Sequence, residues 1–139
     1  MKKYQTLLST LTTEIPELAA EPNKINVFIK KGKVIATGRP GLSFEYRYRL
    51  MITLSRWAGD PDQLMTVVLE WLQENQPNEL NNSQLRGKLF RFKTSLMQEG
   101  NYDITLKLNL TESVPSRDSE QKLSRMTDSS YPYWTDHRD

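Results

Sequence analysis

Between Asp103 and Glu112 apolar and polar positions alternate without a break. Ile104, Leu106, Leu108 and Leu110 fall on one side, and Thr105, Lys107, Asn109 and Thr111 on the other. A period of two sends successive side chains to opposite faces of a strand. One-sided apolar alternation marks antiparallel strands with one face on a core and the other open to water or a partner. The same pattern predicts a long strand over about Leu42–Arg56, where Phe44, Tyr46, Tyr48, Leu50, Ile52 and Leu54 oppose Glu45, Arg47 and Arg49. It predicts another over Lys88–Met97, with Phe90, Phe92, Thr94 and Leu96 opposite Arg91, Lys93 and Ser95. Weaker alternation around Gly32, with Ile25, Val27 and Ile29 pointing one way, predicts a short hairpin with a lysine-rich turn.

Two segments carry the 3.6-residue period of an amphipathic helix instead. Tyr4, Leu7, Leu8, Leu11, Ile15 and Leu18 share one side of residues 3–19, with Pro16 ending or kinking the helix near Ile15. Leu64, Val67, Val68, Trp71 and Leu72 share one side of a helix that opens at Asp60-Pro61-Asp62-Gln63. Asp60 can accept the N-cap hydrogen bond, Pro61 suits the first helical position and Gln63 can close a capping box. Pro77 forbids continuation, and residues 78–87 read as a polar connection.

From Ser113 the periodicity stops. Residues 113–130 are polar and serine-rich, and the Tyr-Pro-Tyr-Trp run at 131–134 follows them. The predicted order gives an α+β fold, two helices packed on a mostly antiparallel sheet. It forms a single domain over 1–112, followed by a polar, mobile C-terminal arm over 113–139.

Composition narrows the chemistry. A chain of 139 residues is the size of one domain with a real core. It contains no cysteine, which removes disulfides, thiolate nucleophiles and cysteine-bearing zinc sites. Its one histidine, His137, lies in the arm, so histidine triads and histidine-ligated metals are not expected. Neither glycine-rich phosphate-binding motif occurs. Asp60 and Asp62 are explained by the helix start. The expectation is a protein that is not an enzyme and uses no cofactor or metal. The N-terminus has no signal-peptide pattern and no segment reaches the ~20 apolar residues of a membrane span, which predicts a soluble intracellular protein without membrane contact.

What remains is surface. Arg47, Arg49, Arg91, Lys93 and Lys107 all take outward strand positions, with Glu45 among them. Such a face either discourages edge-to-edge aggregation or docks electrostatically on an acidic partner or passing DNA. The formal net charge of only +2 argues against an extended nucleic-acid footprint. The aromatics of the long strand run on into Leu50, Ile52 and Leu54, which favours burial over a base-stacking platform. Trp57 is either a lid on the core edge or a contact residue. Tyr131, Tyr133 and Trp134 are either docking anchors or a terminus without a role.

Several of these residues also carry a resemblance. Leu42-Ser43-Phe44-Glu45, Arg47-Tyr48, Gly59-Asp60, Trp71-Leu72, Glu74-Asn75-Gln76-Pro77, Asp103-Ile104 and Leu110-Thr111-Glu112 form an ordered series. The series resembles the phage tail completion protein R family of contractile-tailed temperate phages and prophages. It runs over about residues 1–112 and does not extend past Val114. The resemblance implies a structural virion protein that completes the tail at its head-proximal end and prepares it for head joining. Relatives of this kind are similar to phage tail terminators, with a small α/β fold and a homo-oligomeric, commonly hexameric, ring. The implied partners are copies of itself, tail tube subunits and head or neck connector proteins, with passing contact to phage DNA. The implied location is the host cytoplasm during assembly and then the virion tail. A small nucleic-acid-binding module using the basic sheet face is the alternative.

Overall fold

The computed structural model describes residues 1–38, 41–97 and 100–116. Two helices come first, α1 (Lys3–Glu14) and α2 (Pro16–Ala20), then a 3-10 turn at Pro22–Lys24. Strands β1 (Ile25–Ala36) and β2 (Phe44–Trp57) follow, and helix α3 (Pro61–Asn75) comes next. Two single-turn helices, α4 (Pro77–Leu80) and α5 (Arg86–Leu89), lead into β3 (Phe90–Leu96) and β4 (Tyr102–Val114). The strands form one four-stranded antiparallel sheet in the order β1-β2-β4-β3. The α+β class read from periodicity is the observed one.

The chain divides into two compact units. Among the described residues, one comprises Met1–Lys31 and Tyr48–Leu110; the other comprises Gly32–Arg47 and residues 111–116. The first holds the main core. Leu50, Ile52 and Leu54 of β2 and Ile104, Leu106, Leu108 and Leu110 of β4 are buried, as are Leu7 and Leu11 of α1 and Leu64, Val68 and Leu72 of α3. Each fully buried leucine or isoleucine contributes roughly 1.5–3 kcal/mol relative to exposure. Trp71 of α3 adds a directed link, its indole N–H donating to Thr6 Oγ of α1 at 3.2 Å. Pro16 divides the N-terminal helix as its missing N–H requires, with Ile15 buried at the break.

Helix α3 begins on Asp60, whose carboxylate accepts from the Asp62 backbone N–H at 2.9 Å. The capping box with Gln63 does not form among the described residues. At the other end Gln76 is the C-cap and is 2 % exposed. Its side chain accepts from Lys3 Nζ at 2.6 Å and donates to Glu79 Oε1 at 3.0 Å, and Lys3 also donates to the Asn75 carbonyl at 2.6 Å. A lysine on the last carbonyls of a helix satisfies orphan acceptors and suits the negative end of the dipole. The Asn-Gln-Pro run thus ends α3 and restarts the chain as α4.

In the second unit Phe44 and Tyr46 meet edge to face at 5.1 Å. The Ser116 hydroxyl, buried, accepts from the Leu42 N–H at 3.0 Å, and the Thr37 and Ser43 hydroxyls lie 2.6 Å apart. Phe44, expected in the core, is only half-buried here.

Three further expectations are corrected. The hairpin around Gly32 is instead one continuous strand, β1, with Lys31 in the left-handed region at φ 55. A left-handed residue inside a strand is the geometry of a bulge, which shifts the alternation without reversing the chain. The connection at 78–87 holds most of α4 and the start of α5. On β3 the apolar positions do not point into a core: Phe92 is 57 % and Leu96 83 % exposed. Phe92 pairs with the buried Leu106, but β3 is an edge strand and the cover over β4 does not extend to it. The arm from residue 117 lies outside the described residues, while Ser113 and Val114 still belong to β4.

Candidate interaction surface

Alternation fixes which side of the sheet is free. In the first unit, Leu50, Ile52, Leu54, Leu106 and Leu108 face the core. The intervening Arg49, Met51, Thr53, Thr105, Lys107 and Asn109 are half-buried by their neighbours on the other face. β3 extends that face with Arg91 and Lys93, both exposed. The register places Arg91 opposite Lys107 and Lys93 opposite Thr105. Thr53 and Thr105 bring their hydroxyls to 3.2 Å across β2 and β4.

The polar neighbours orient some of these cations. Arg49 Nε donates to Asn109 Oδ1 at 3.3 Å, and Asn109 Nδ2 donates to the Lys88 carbonyl at 2.8 Å. Arg91, Lys93 and Lys107 have no ion-pair partner among the described residues. Four cations predicted from alternation, Arg49, Arg91, Lys93 and Lys107, therefore lie on one face that no described element covers. In the second unit Arg47 is ion-paired to Glu45, two positions away on the same side of the strand. Their charges offset one another.

Trp57 takes a different position from the other candidates. Arg56 adopts φ 51, and this left-handed residue breaks the alternation so that Trp57 turns inward. Trp57 is 6 % exposed and meets Tyr102 edge to face at 5.7 Å. The Arg56 N–H, displaced from regular pairing, donates to Asp103 Oδ1 at 2.9 Å. Tyr102 donates its hydroxyl to the Gly59 carbonyl at 2.6 Å, and burial together with Asp60 and Asp62 raises its pKa above the usual 10.0. Burial leaves Trp57 almost nothing to offer a partner. A cleft of about 350 Å³ beside it is lined by residues that include Glu17, Glu21, Lys24 and Arg56. Lys24 there pairs with Glu21 at 3.0 Å.

Tyr131, Tyr133 and Trp134 lie outside the described residues. Alternation alone carried no sign that Phe92 and Leu96 would stand exposed, because it reports the face of a strand and not its distance from the sheet edge. No helix among the described residues is long and apolar enough to cross a membrane.

No solved structure matches the chain. Over 112 residues, 81 % of this chain and 72 % of the relative, it is 34 % identical to "Tail completion protein R" of Escherichia phage P2. The family described as "P2 phage tail completion protein R (GpR)" matches residues 1–132, so the likeness continues past Val114, where the resemblance read from sequence stopped. The Asn-Gln-Pro run and the strand core fall inside that span, and the chain belongs to the P2 phage tail completion protein R family.

Proposed function

We propose that this protein completes the tail at its head-proximal end without catalysing a reaction, and prepares that end for head joining. Membership in the tail completion family carries the reading. In this scheme copies of the chain close into a homo-oligomeric ring on the last tube subunits, hexameric as in tail terminators. A closed ring requires two different patches per subunit. The ring stops tube growth because it offers no further tube-like surface. Its outer side meets head or neck connector proteins.

The open face bearing Arg49, Arg91, Lys93 and Lys107 is the surface we assign to an acidic neighbour. Cations without an ion-pair partner among the described residues suit docking against carboxylates. Nothing aromatic from the long strand lies on that face: Tyr48 is buried with Leu50 and Ile52. Base stacking, which single-stranded binding uses, has no platform there.

The test is a phage supplied only with the triple variant Arg91→Glu, Lys93→Glu, Lys107→Glu, imaged by negative stain. Headless tails of irregular length are expected, with the variant itself folded by circular dichroism. Normal tails carrying heads would overturn the assignment of this face. A salt titration of DNA binding by the unaltered protein separates the alternative, since phosphate contacts make affinity fall steeply with salt.

A further inference from the structure

We propose that the free edge of β3 accepts an extended strand from another protein, one that alternates acidic with apolar residues. Among the described residues β3 is the terminal strand of the sheet, so one row of its backbone N–H and C=O groups has no described strand beside it. Its seven residues pair with β4 in unbroken register from Phe90–Leu108 to Leu96–Tyr102. The strand is therefore regular and ready to pair on its other side. Added strands gain affinity from main-chain hydrogen bonds and specificity from alternate side chains.

The opposite edge is built differently. β1 carries Lys30, Lys31 and Lys33 close together, and Lys31 is left-handed. Lysines and bulges are the ordinary devices that keep an edge from pairing. β1 also exposes Phe28 and Val34, so what sets β3 apart is that it has no left-handed residue, while it presents Phe92 and Leu96 to solvent on one face. Thr94, between them, turns its hydroxyl back to the Asp103 carbonyl at 2.9 Å. Two large apolar side chains flanking a self-satisfied threonine make an apolar stripe along the edge.

The two faces of β3 together specify the occupant. An incoming strand would set apolar residues against Phe92 and Leu96 on one face. On the other it would face Arg91 and Lys93, neither of which has an ion-pair partner among the described residues. Opposite charges across a strand pair stabilise it and like charges oppose it. Among the described edge strands, a second copy of this chain would bring either the lysines of β1 or the Arg91 and Lys93 of another β3. Both are cationic, so the occupant is an acidic-apolar strand of a different protein. The inference shares Arg91 and Lys93 with the face assigned to an acidic neighbour, but strand pairing itself rests on the β3 edge and does not require the role in tail completion.

The experiment uses the full chain and a synthetic peptide as long as β3 that alternates glutamate with valine. Calorimetry gives the affinity and amide exchange locates the contact. Binding with new protection of alternate β3 amides is expected. Replacing the peptide's glutamates by lysine, or N-methylating its alternate amides, should weaken binding by at least about tenfold. So should Phe92→Asp with Leu96→Asp, two exposed positions where substitution leaves the core intact. Binding that survives N-methylation is electrostatic adsorption and overturns the proposal. So does absence of β3 protection. If instead β3 amides become protected as protein concentration rises without peptide, the occupant is a second copy and the proposal fails. A failure of tail assembly in the charge-reversed phage would leave this result untouched.

Discussion

Arg91 stands directly opposite Lys107 in the β3–β4 register, and neither is ion-paired among the described residues. Like charges directly opposite one another destabilise a sheet, whereas an opposite-charge pair contributes roughly 0.2–1 kcal/mol. The free chain is therefore less stable than it could be at this pair. Arg91→Glu should raise the free energy of unfolding by up to about 1 kcal/mol, read from denaturant midpoints. The same variant should reduce the yield of head-bearing tails. A variant that gains stability and completes tails normally would mean the pair has no role in docking.

Lys3 and Gln76 lie 73 positions apart in sequence and join the start of α1 to the end of α3. Gln76→Ala would strip an acceptor from Lys3 and a donor from Glu79 in a site where Gln76 is 2 % exposed. Lys3 keeps the Asn75 carbonyl, so the cost is that of two lost charge-assisted hydrogen bonds at half-buried groups, about 1–3 kcal/mol. The urea midpoint should fall accordingly while the slope stays unchanged, since the folded core is the same.

The fold was legible where one local rule decides an element. Asp60 with Pro61 marks a helix start, and Pro16 and Pro77 mark helix ends. The unbroken alternation of β4, from Ile104 to Leu110, marks a strand with one buried face. Most of the open cationic face followed from the same rule, since Arg49, Arg91, Lys93 and Lys107 take the positions between apolar ones. What sequence did not disclose depends on long-range placement. Phe92 repeats the pattern of Leu106 but sits at the sheet edge, so its burial depends on cover that only the tertiary structure supplies. Gly32 suggests a turn, yet the chain passes through it because Lys31 takes up the irregularity. Trp57 follows Leu54 at the wrong interval for a strand face, and only the left-handed Arg56 turns it inward.

Gly59 is in close contact with the Trp57 ring. A Cβ at Gly59 would stand 2.5 Å from Trp57 Cε2 and 2.8 Å from its Nε1. Trp57 is itself held by burial and by the Tyr102 ring, so it cannot swing aside freely. Gly59→Ala should destabilise by about 1–3 kcal/mol through overpacking. Adding Trp57→Leu should make the alanine nearly neutral relative to Trp57→Leu alone, because the clashing ring is gone. A double-mutant cycle in thermal or chemical unfolding measures that coupling. A coupling of zero would show that the backbone around Gly59, and not the indole, is what excludes the methyl group.

Tyr102 ties the same region to pH. Its hydroxyl donates to the Gly59 carbonyl, and burial first, then Asp60 and Asp62, raises its pKa above 10.0. The unfolded chain releases the Tyr102 proton near the ordinary value, and the folded chain releases it only at higher pH. Between the two the unfolded state binds fewer protons, so rising pH favours unfolding. This stabilisation is complete below about pH 10 and is lost as pH rises through the folded value. Tyr102→Phe should lower stability at neutral pH by the lost hydrogen bond, about 0.5–1.5 kcal/mol, and should flatten the alkaline decline relative to the unaltered protein. Asp62→Asn removes one of the two nearby carboxylates and should move the Tyr102 titration down toward its ordinary value, read by ultraviolet absorbance. If Asp62→Asn leaves that titration in place, the Asp62 charge does not act on Tyr102, and burial with Asp60 sets its pKa.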